Sequence, residues 1–300
     1  MIQVHNVTKK YGKFTAVEGI SFVAEKGSVF GLVGYNGAGK TTLIKTMAGI
    51  LRPEHGSVTA EGEDVFDNAG YHQKMSFVPD ENYYPPQASL DDMRRIYRGY
   101  YPRWSDKTYK KLAELFLLER RQKINNYSKG MQRQSAILLA LATHPGYLLL
   151  DEAFDGLDYS KRTLLRTLLR DYAREKGAVI VVSSHNLLEL EEFADRVGIL
   201  NEHRFTFEGS VENMRRNCAK YHAEFDSAPS SEKLRELGLT NIQRLNDKTV
   251  SFLHSSEDDV FPHERLEALG GHVIGKMPVT LEEFFLEETD AQTYRFDEIF

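Results

Sequence analysis

The stretch SVFGLVGYNGAGKTT, Ser28 to Thr42, decides the fold. Ser28 to Val33 is a short apolar run of strand character, and it leads straight into a loop rich in glycine. Gly34-x4-Gly39-Lys40-Thr41 has the spacing of a phosphate-binding loop. Within it Gly34, Gly37 and Gly39, with Asn36 and Ala38 between them, let successive backbone N–H groups turn inward around phosphate oxygens. The residues after the loop, Thr41 to Leu51, carry Leu43, Ile44, Met47, Ala48 and Leu51 at helical spacing, with Arg52-Pro53 as the stop. A helix starting there adds its positive N-terminal end to the loop. Lys40 is expected to bridge the β- and γ-phosphates of a nucleotide and Thr41 to ligate Mg²⁺, with Thr42 beside it.

Outward from the loop the chain alternates strand and helix. Residues 1–30 alternate apolar and polar around Gly12, Gly19 and Gly27, which predicts antiparallel strands. Strands are predicted around Gly56 to Thr59 and Met75 to Val78, and Tyr147 to Leu150 and Ala178 to Ser183 read as buried strands. Lys161 to Lys176 has an amphipathic helix pattern. The order implies an α/β domain. Residues 85–129 are helical in character, with eleven Lys and Arg against five Asp and Glu. Such an excess is either a solvated face or a contact surface for a partner or an anionic membrane leaflet.

After Ser210 short strands at Tyr221 to Phe225, Thr249 to Leu253 and His272 to Ile274 alternate with helices at Ser231 to Leu237 and Pro262 to Leu269. This predicts a small α+β appendage. The last twenty residues hold seven acids and one arginine, which predicts a mobile acidic tail.

Composition bounds the rest. Three hundred residues with 41% hydrophobic and 27% charged content describe an ordinary folded protein of one or two domains. A net charge of −6 speaks against nucleic-acid binding through a basic surface. Cys218 is the single cysteine, so no internal disulfide framework exists, and it reads as a surface or half-buried thiol. The N-terminus lacks the pattern of a secretory signal, and no apolar run approaches the length needed to cross a bilayer.

A nucleotide site of this kind needs a cation ligand and a base. Leu148-Leu149-Leu150-Asp151-Glu152 supplies both at the end of a buried strand: Asp151 for Mg²⁺, Glu152 as general base toward water. Between this segment and the first loop lies Tyr127-Ser128-Lys129-Gly130-Met131-Gln132. By itself Ser128 reads as a helix N-cap, and Tyr11 as a turn tyrosine.

With these motifs in this order, the chain resembles the ATP-binding subunits of ABC transporters, over roughly residues 1–215. The family signature is usually LSGGQ; here Ser128 and Gly130 are kept, while Tyr127, Lys129 and Met131 depart. The resemblance implies that Ser128 and Gly130 contact the γ-phosphate of ATP held by a second subunit. It implies a D-loop at Asp155-Gly156-Leu157-Asp158, with Asp158 reaching the neighbouring site, and a switch histidine at His185 that orients Glu152. Tyr11 lies where the family stacks an aromatic ring on adenine. Where the family usually places a glutamine, Asp80 stands in Phe77-Val78-Pro79-Asp80-Glu81, a carboxylate able to ligate Mg²⁺. Ala153 follows Glu152 where proline is common.

Fold and partners follow by the same resemblance: a P-loop NTPase domain over 1–215 with a RecA-like core, an antiparallel β subdomain and a helical subdomain at about 85–130, and an accessory α+β domain over 216–300. A second ATPase subunit, identical or a close paralogue, would complete the site, and separate transmembrane permease subunits would carry the path. That places the chain in the cytoplasm on the inner face of the membrane. Tyr100-Tyr101-Pro102-Arg103-Trp104 and Val279 to Phe285 resemble the ABC-2 exporter branch, which includes drug and peptide exporters. A soluble ABC-type ATPase without a transporter, or a regulatory nucleotide-binding module, are the alternatives left open.

Overall fold

The computed structural model describes residues 1–255, 261 and 263–288; the last twelve residues of the acidic tail lie outside them. Contacts divide the chain into two units, Met1–Glu208 and Gly209–Phe300. The division falls ahead of the helix Val211–Asn217, whereas the boundary expected at 215 lies inside that helix.

In the first unit a six-stranded sheet runs in the order Arg204–Ser210, Arg196–Asn201, Val29–Gly34, Val179–Ser184, Tyr147–Leu150, Met75–Val78. The last five are parallel. Every residue of Val29–Gly34, Tyr147–Leu150 and Val179–Ser184 is buried, as expected of parallel strands covered on both faces. That is why they read as unbroken apolar runs rather than alternating ones.

A second sheet, antiparallel, has the order Phe14–Ala24, Ile2–Tyr11, His55–Ala60, Glu63–Asp64. Gly19 does not end a strand. It sits inside Phe14–Ala24 at φ +65°, its N–H bonded to Thr8 Oγ1 at 3.0 Å, where the register of the pair shifts. The two sheets share a core: Phe22 stacks on Phe30 with ring centroids 4.3 Å apart.

The helix after the glycine loop, Lys40–Met47, buries Leu43, Ile44 and Met47 completely. It ends at Met47, short of the Leu51 expected from the pattern. Gly49 adopts φ +71°, and a Cβ there would come within 2.5 Å of the Val65 carbonyl. The N–H groups of Ile50 and Leu51 turn back to Lys45 O. Apolar periodicity outlived the helix because Leu51 still packs after the chain has turned.

The helical region holds Leu90–Tyr100, Asp106–Leu115 and Lys129–Ala142. Ser89 and Asp92 form a reciprocal capping box at its first helix.

The second unit is a four-stranded antiparallel sheet in the order Thr240–Arg244, Thr249–Ser255, Cys218–Phe225, Gly271–Pro278. Helices Ser231–Arg235 and His263–Ala268 follow its first and third strands in chain order. This is the split βαβ arrangement of ferredoxin-like folds. Tyr221, Ala223 and Phe225 share one face with Val250 and Phe252, against Leu234 and Leu266. Lys220, on the opposite face, meets Glu283 of the helix Leu281–Glu288 at 2.6 Å. Thr280 and Glu283 cap that helix reciprocally. Thr240–Arg244 carries no apolar alternation, so its strand is visible only through its pairing. Cys218 is buried, with 2% of its surface exposed, and is not the surface or half-buried thiol expected.

Candidate functional site

The loop Gly34–Thr42 lies at the C-terminal end of the strand Val29–Gly34, the end at which parallel sheets bind ligands. Two of its glycines are required by close approach. A Cβ on Gly34 would stand 2.5 Å from Leu200 O, and one on Gly39, at φ +111°, 2.2 Å from Ala16 O. Gly37 faces open space and is needed for its φ of +85° alone. Asn36 and Thr41 are exposed, Thr42 is half-buried and Ala38 is buried.

Lys40 is 5% exposed. Its Nζ donates to Gly34 O at 2.7 Å and Tyr35 O at 3.3 Å, and lies 3.3 Å from Glu152 Oε1. The structure therefore joins the glycine loop to the carboxylate at the end of Tyr147–Leu150, 112 positions away in sequence and two strands away in the sheet.

Glu152 is held from every side. Its backbone takes the left-handed conformation, φ +48°, which is strained for a residue with a Cβ. Its N–H donates to Ser183 Oγ at 2.9 Å, and its Oε2 accepts from His185 N–H at 3.3 Å and meets His185 Nδ1 at 2.9 Å. Asp151 is 1% exposed. Its Oδ1 accepts the Ser183 hydroxyl at 2.6 Å, while its Oδ2 is buried without a hydrogen-bond partner. An orphaned buried carboxylate oxygen is costly unless something charged meets it.

Ser183 is a residue the sequence reading missed. One hydroxyl donates to Asp151 and accepts from Glu152 N–H, so it sets both acids at once. It sits one strand over, and only the sheet order brings it there; a serine at a strand end carries no signal of its own. Ser183→Ala is expected to lower stability by about 1–3 kcal/mol by leaving two buried groups unpaired. It should reduce turnover far more than nucleotide affinity. Thermal unfolding and steady-state kinetics together check this.

Arg133 is the second omission. It is 4% exposed and donates to Pro79 O, Asp80 O and Asp151 O, with Asp80 Oδ1 at 3.1 Å. Asp80 is thus placed beside the other acids, with its carboxylate paired to an arginine.

Other expected residues lie apart from this centre. Ser128 is exposed and caps the helix Lys129–Ala142, accepting from Met131 N–H at 3.2 Å. Gly130 packs on the Asp155–Asp158 turn, where a Cβ would come within 2.7 Å of Gly156 O. Asp158 is exposed, and its carboxylate caps the helix Tyr159–Lys176 through Lys161 N–H at 2.9 Å. Tyr11 is 49% exposed at the end of its strand, with Lys9 Nζ 5.7 Å from the ring centroid.

A parallel sheet, a glycine loop with a buried lysine and a facing acid pair define a phosphate-loop nucleotide-binding protein. The family model for ABC transporters matches residues 17–155. The bacitracin transport ATP-binding protein BcrA of Enterococcus faecalis is 31% identical over 256 residues, 83% of this chain and 81% of that one. The linearmycin resistance ATP-binding protein LnrL of Bacillus subtilis strain 168 is 30% identical over 310 residues, 96% of this chain and 98% of that one. A solved ATP-binding subunit of an ABC transporter superposes with a TM-score of 0.66 at 27% identity, covering 72% of this chain and 92% of that one.

The chain belongs to the ABC transporter ATP-binding family. It is an ATP-binding, ATP-hydrolysing subunit, and among the described residues no helix is long and apolar enough to cross a membrane.

Proposed function

We propose that this chain powers an exporter of the drug and peptide class, hydrolysing MgATP in a head-to-tail pair of ATPase subunits on the inner face of the cell membrane. The observation that carries the hydrolytic reading is Glu152, fixed between Lys40 and His185 beside a buried acid. The exporter reading is supported by likeness to BcrA and LnrL, the latter along nearly the whole chain.

The residues fit Mg²⁺. Asp151 Oδ2 is buried and unpartnered, and the Thr41 side chain is exposed at the start of its helix. Among the described residues no cluster of three His, Cys, Asp or Glu could hold a metal. Mg²⁺ takes one or two protein ligands together with nucleotide phosphates. When bound, the ion would neutralise phosphate charge.

The chain's own groups supply the rest. Backbone N–H groups of residues 34–42 cradle the phosphates, and Lys40 exchanges its carbonyl contacts for phosphate oxygens. Glu152 Oε2 takes the proton of the attacking water, with His185 and Ser183 holding its side chain and backbone. Tyr11 offers an exposed ring for the adenine. Ser128 and the N-terminus of the helix Lys129–Ala142 are exposed toward a second subunit, where they close on its γ-phosphate; Asp158 contributes from the turn beside them.

For the permease, the first unit offers a groove of about 560 Å³ lined by His72, Gln73, Ile96, Tyr97, Tyr100 and Tyr101. Tyr100 is 78% exposed and Ile96 44%, on a helix that also carries Arg94, Arg95 and Arg98. Apolar side chains rimmed by charge mark a protein contact. The chain isolated from its native membranes should bring a membrane-spanning subunit with it. Ile96→Arg with Tyr100→Asp should lose that subunit; undiminished recovery would remove the groove as the contact.

A further inference from the structure

Arg133 and Asp80 form a unit that the site above does not use. The guanidinium is almost fully buried and meets three backbone carbonyls and one carboxylate. Nη1 donates to Pro79 O at 2.7 Å and Asp151 O at 3.3 Å; Nη2 donates to Asp80 O at 2.5 Å and Asp80 Oδ1 at 3.1 Å. Carbonyls satisfy the N–H groups but carry no net charge. Asp80 is the carboxylate in direct contact with this buried cation, and a buried cation that loses its ion-pair partner is destabilising.

The geometry spans three segments. Arg133 belongs to the helix Lys129–Ala142, whose first residues follow Ser128. Pro79 and Asp80 follow the strand Met75–Val78, and Asp151 follows the neighbouring strand Tyr147–Leu150. One side chain therefore ties the start of this helix to the ends of two adjacent strands.

We propose that Asp80 is a positioning residue held by Arg133 rather than a ligand of the nucleotide's cation, and that the pair clamps the helix behind Ser128 and Gly130 to the catalytic strands. The clamp fixes where those two residues stand when they meet a second subunit's nucleotide. The dimer part of this inference rests on the function proposed above; the clamp itself does not.

The electrostatic setting makes the two roles separable. Asp80 is half exposed. Asp151, Glu152 and Asp155 surround it with like charge, and Arg133 is the opposite charge it meets, Nη2 to Oδ1 at 3.1 Å. If Asp80 existed only to hold a cation, removing its charge from the metal-free protein would relieve repulsion among four acids and raise the melting temperature. If it balances Arg133, the same change strands a buried guanidinium and lowers it.

The test begins with Asp80→Asn in the full chain, without Mg²⁺ or nucleotide. The clamp predicts a fall of several degrees in the melting temperature. Arg133→Gln should fall similarly, and the double variant should lose clearly less than the sum of the two. Asp80→Glu, which keeps the charge, should recover most of the loss. Arg133→Lys provides a milder lesion should Arg133→Gln fold poorly, since it keeps the charge but loses the forked contacts.

In the Glu152→Gln background, Asp80→Asn should raise the ATP concentration needed for half-maximal dimer about tenfold, roughly 1.4 kcal/mol. The Mg²⁺ concentration at half-effect should stay as in the parent. An unchanged or raised melting temperature for Asp80→Asn, or a tenfold higher Mg²⁺ requirement with stability intact, overturns the clamp. Absence of any ATP-induced dimer in the Glu152→Gln parent would instead sink the dimer reading, and the metal-free melting series would still decide the clamp.

Discussion

Glu152→Gln should bind ATP as the parent does, lose at least about a hundredfold in steady-state turnover, and accumulate as an ATP-bound dimer. A general base contributes roughly 10²–10⁴-fold, and an amide of nearly the same shape cannot accept a proton at neutral pH. The positioning contacts survive the change. Ser183 Oγ meets the backbone N–H of residue 152, not its side chain, at 2.9 Å. His185 N–H at 3.3 Å can still donate to an amide oxygen. The proposed nucleotide contacts come from the loop at 34–42, which the substitution does not touch. What changes is chemistry and one charge: Lys40, 3.3 Å from Oε1, loses its counter-ion and becomes more available to phosphate. Phosphate release, equilibrium nucleotide binding and size-exclusion chromatography with ATP measure the three parts. Turnover within a few fold of the parent would sink Glu152 as the base.

Lys40→Met should weaken ATP binding roughly ten- to hundredfold, the equivalent of about 1.5–3 kcal/mol for a charge-assisted hydrogen bond, and take turnover to background. Methionine replaces most of the buried stem, so the effect is not that of a cavity. It removes the ammonium, which rests on Gly34 O and Tyr35 O. It also leaves Glu152, only 14% exposed, without its cation. Isothermal titration with ATP checks the affinity, and parental affinity in the methionine variant would remove residues 34–42 as the phosphate site.

Which parts of this site could be read in advance depends on how far apart their members lie. Gly34 to Thr42 is contiguous, and each residue type answers to a backbone requirement of the loop itself. Asp151 and Glu152 announce themselves by ending an apolar run. Ser183 and Arg133 give no such sign: one is a serine at a strand end, the other an arginine among polar residues near a helix start. Their functions come from what the sheet places beside them. Asp80 shows the converse. Its residue type suggests a cation ligand, and only the neighbouring helix adds the guanidinium 3.1 Å from its carboxylate.

The helix after the loop makes the same point at the level of the fold. Its apolar spacing runs to Leu51, yet it stops at Met47, and Gly49 turns the chain at φ +71° where a Cβ would come within 2.5 Å of Val65 O, sixteen residues further on. Three strands and both helices of the split βαβ unit are legible in the sequence, but the fourth strand and the strand order are not, since Thr240–Arg244 has no apolar period to declare it.

By itself the sequence determined the phosphate loop, the acid pair, the buried parallel strands and the alternation that makes an α/β domain. These depend on local conformation and on apolar period, both written along the chain. The tertiary structure alone decided that Lys40 faces Glu152, that one serine serves two acids, that Glu152 stands in a left-handed backbone, and that Asp80 pairs with Arg133. Those are pairings between segments distant in sequence, and their energies come from burial and charge compensation, which exist only once the sheet has ordered its strands.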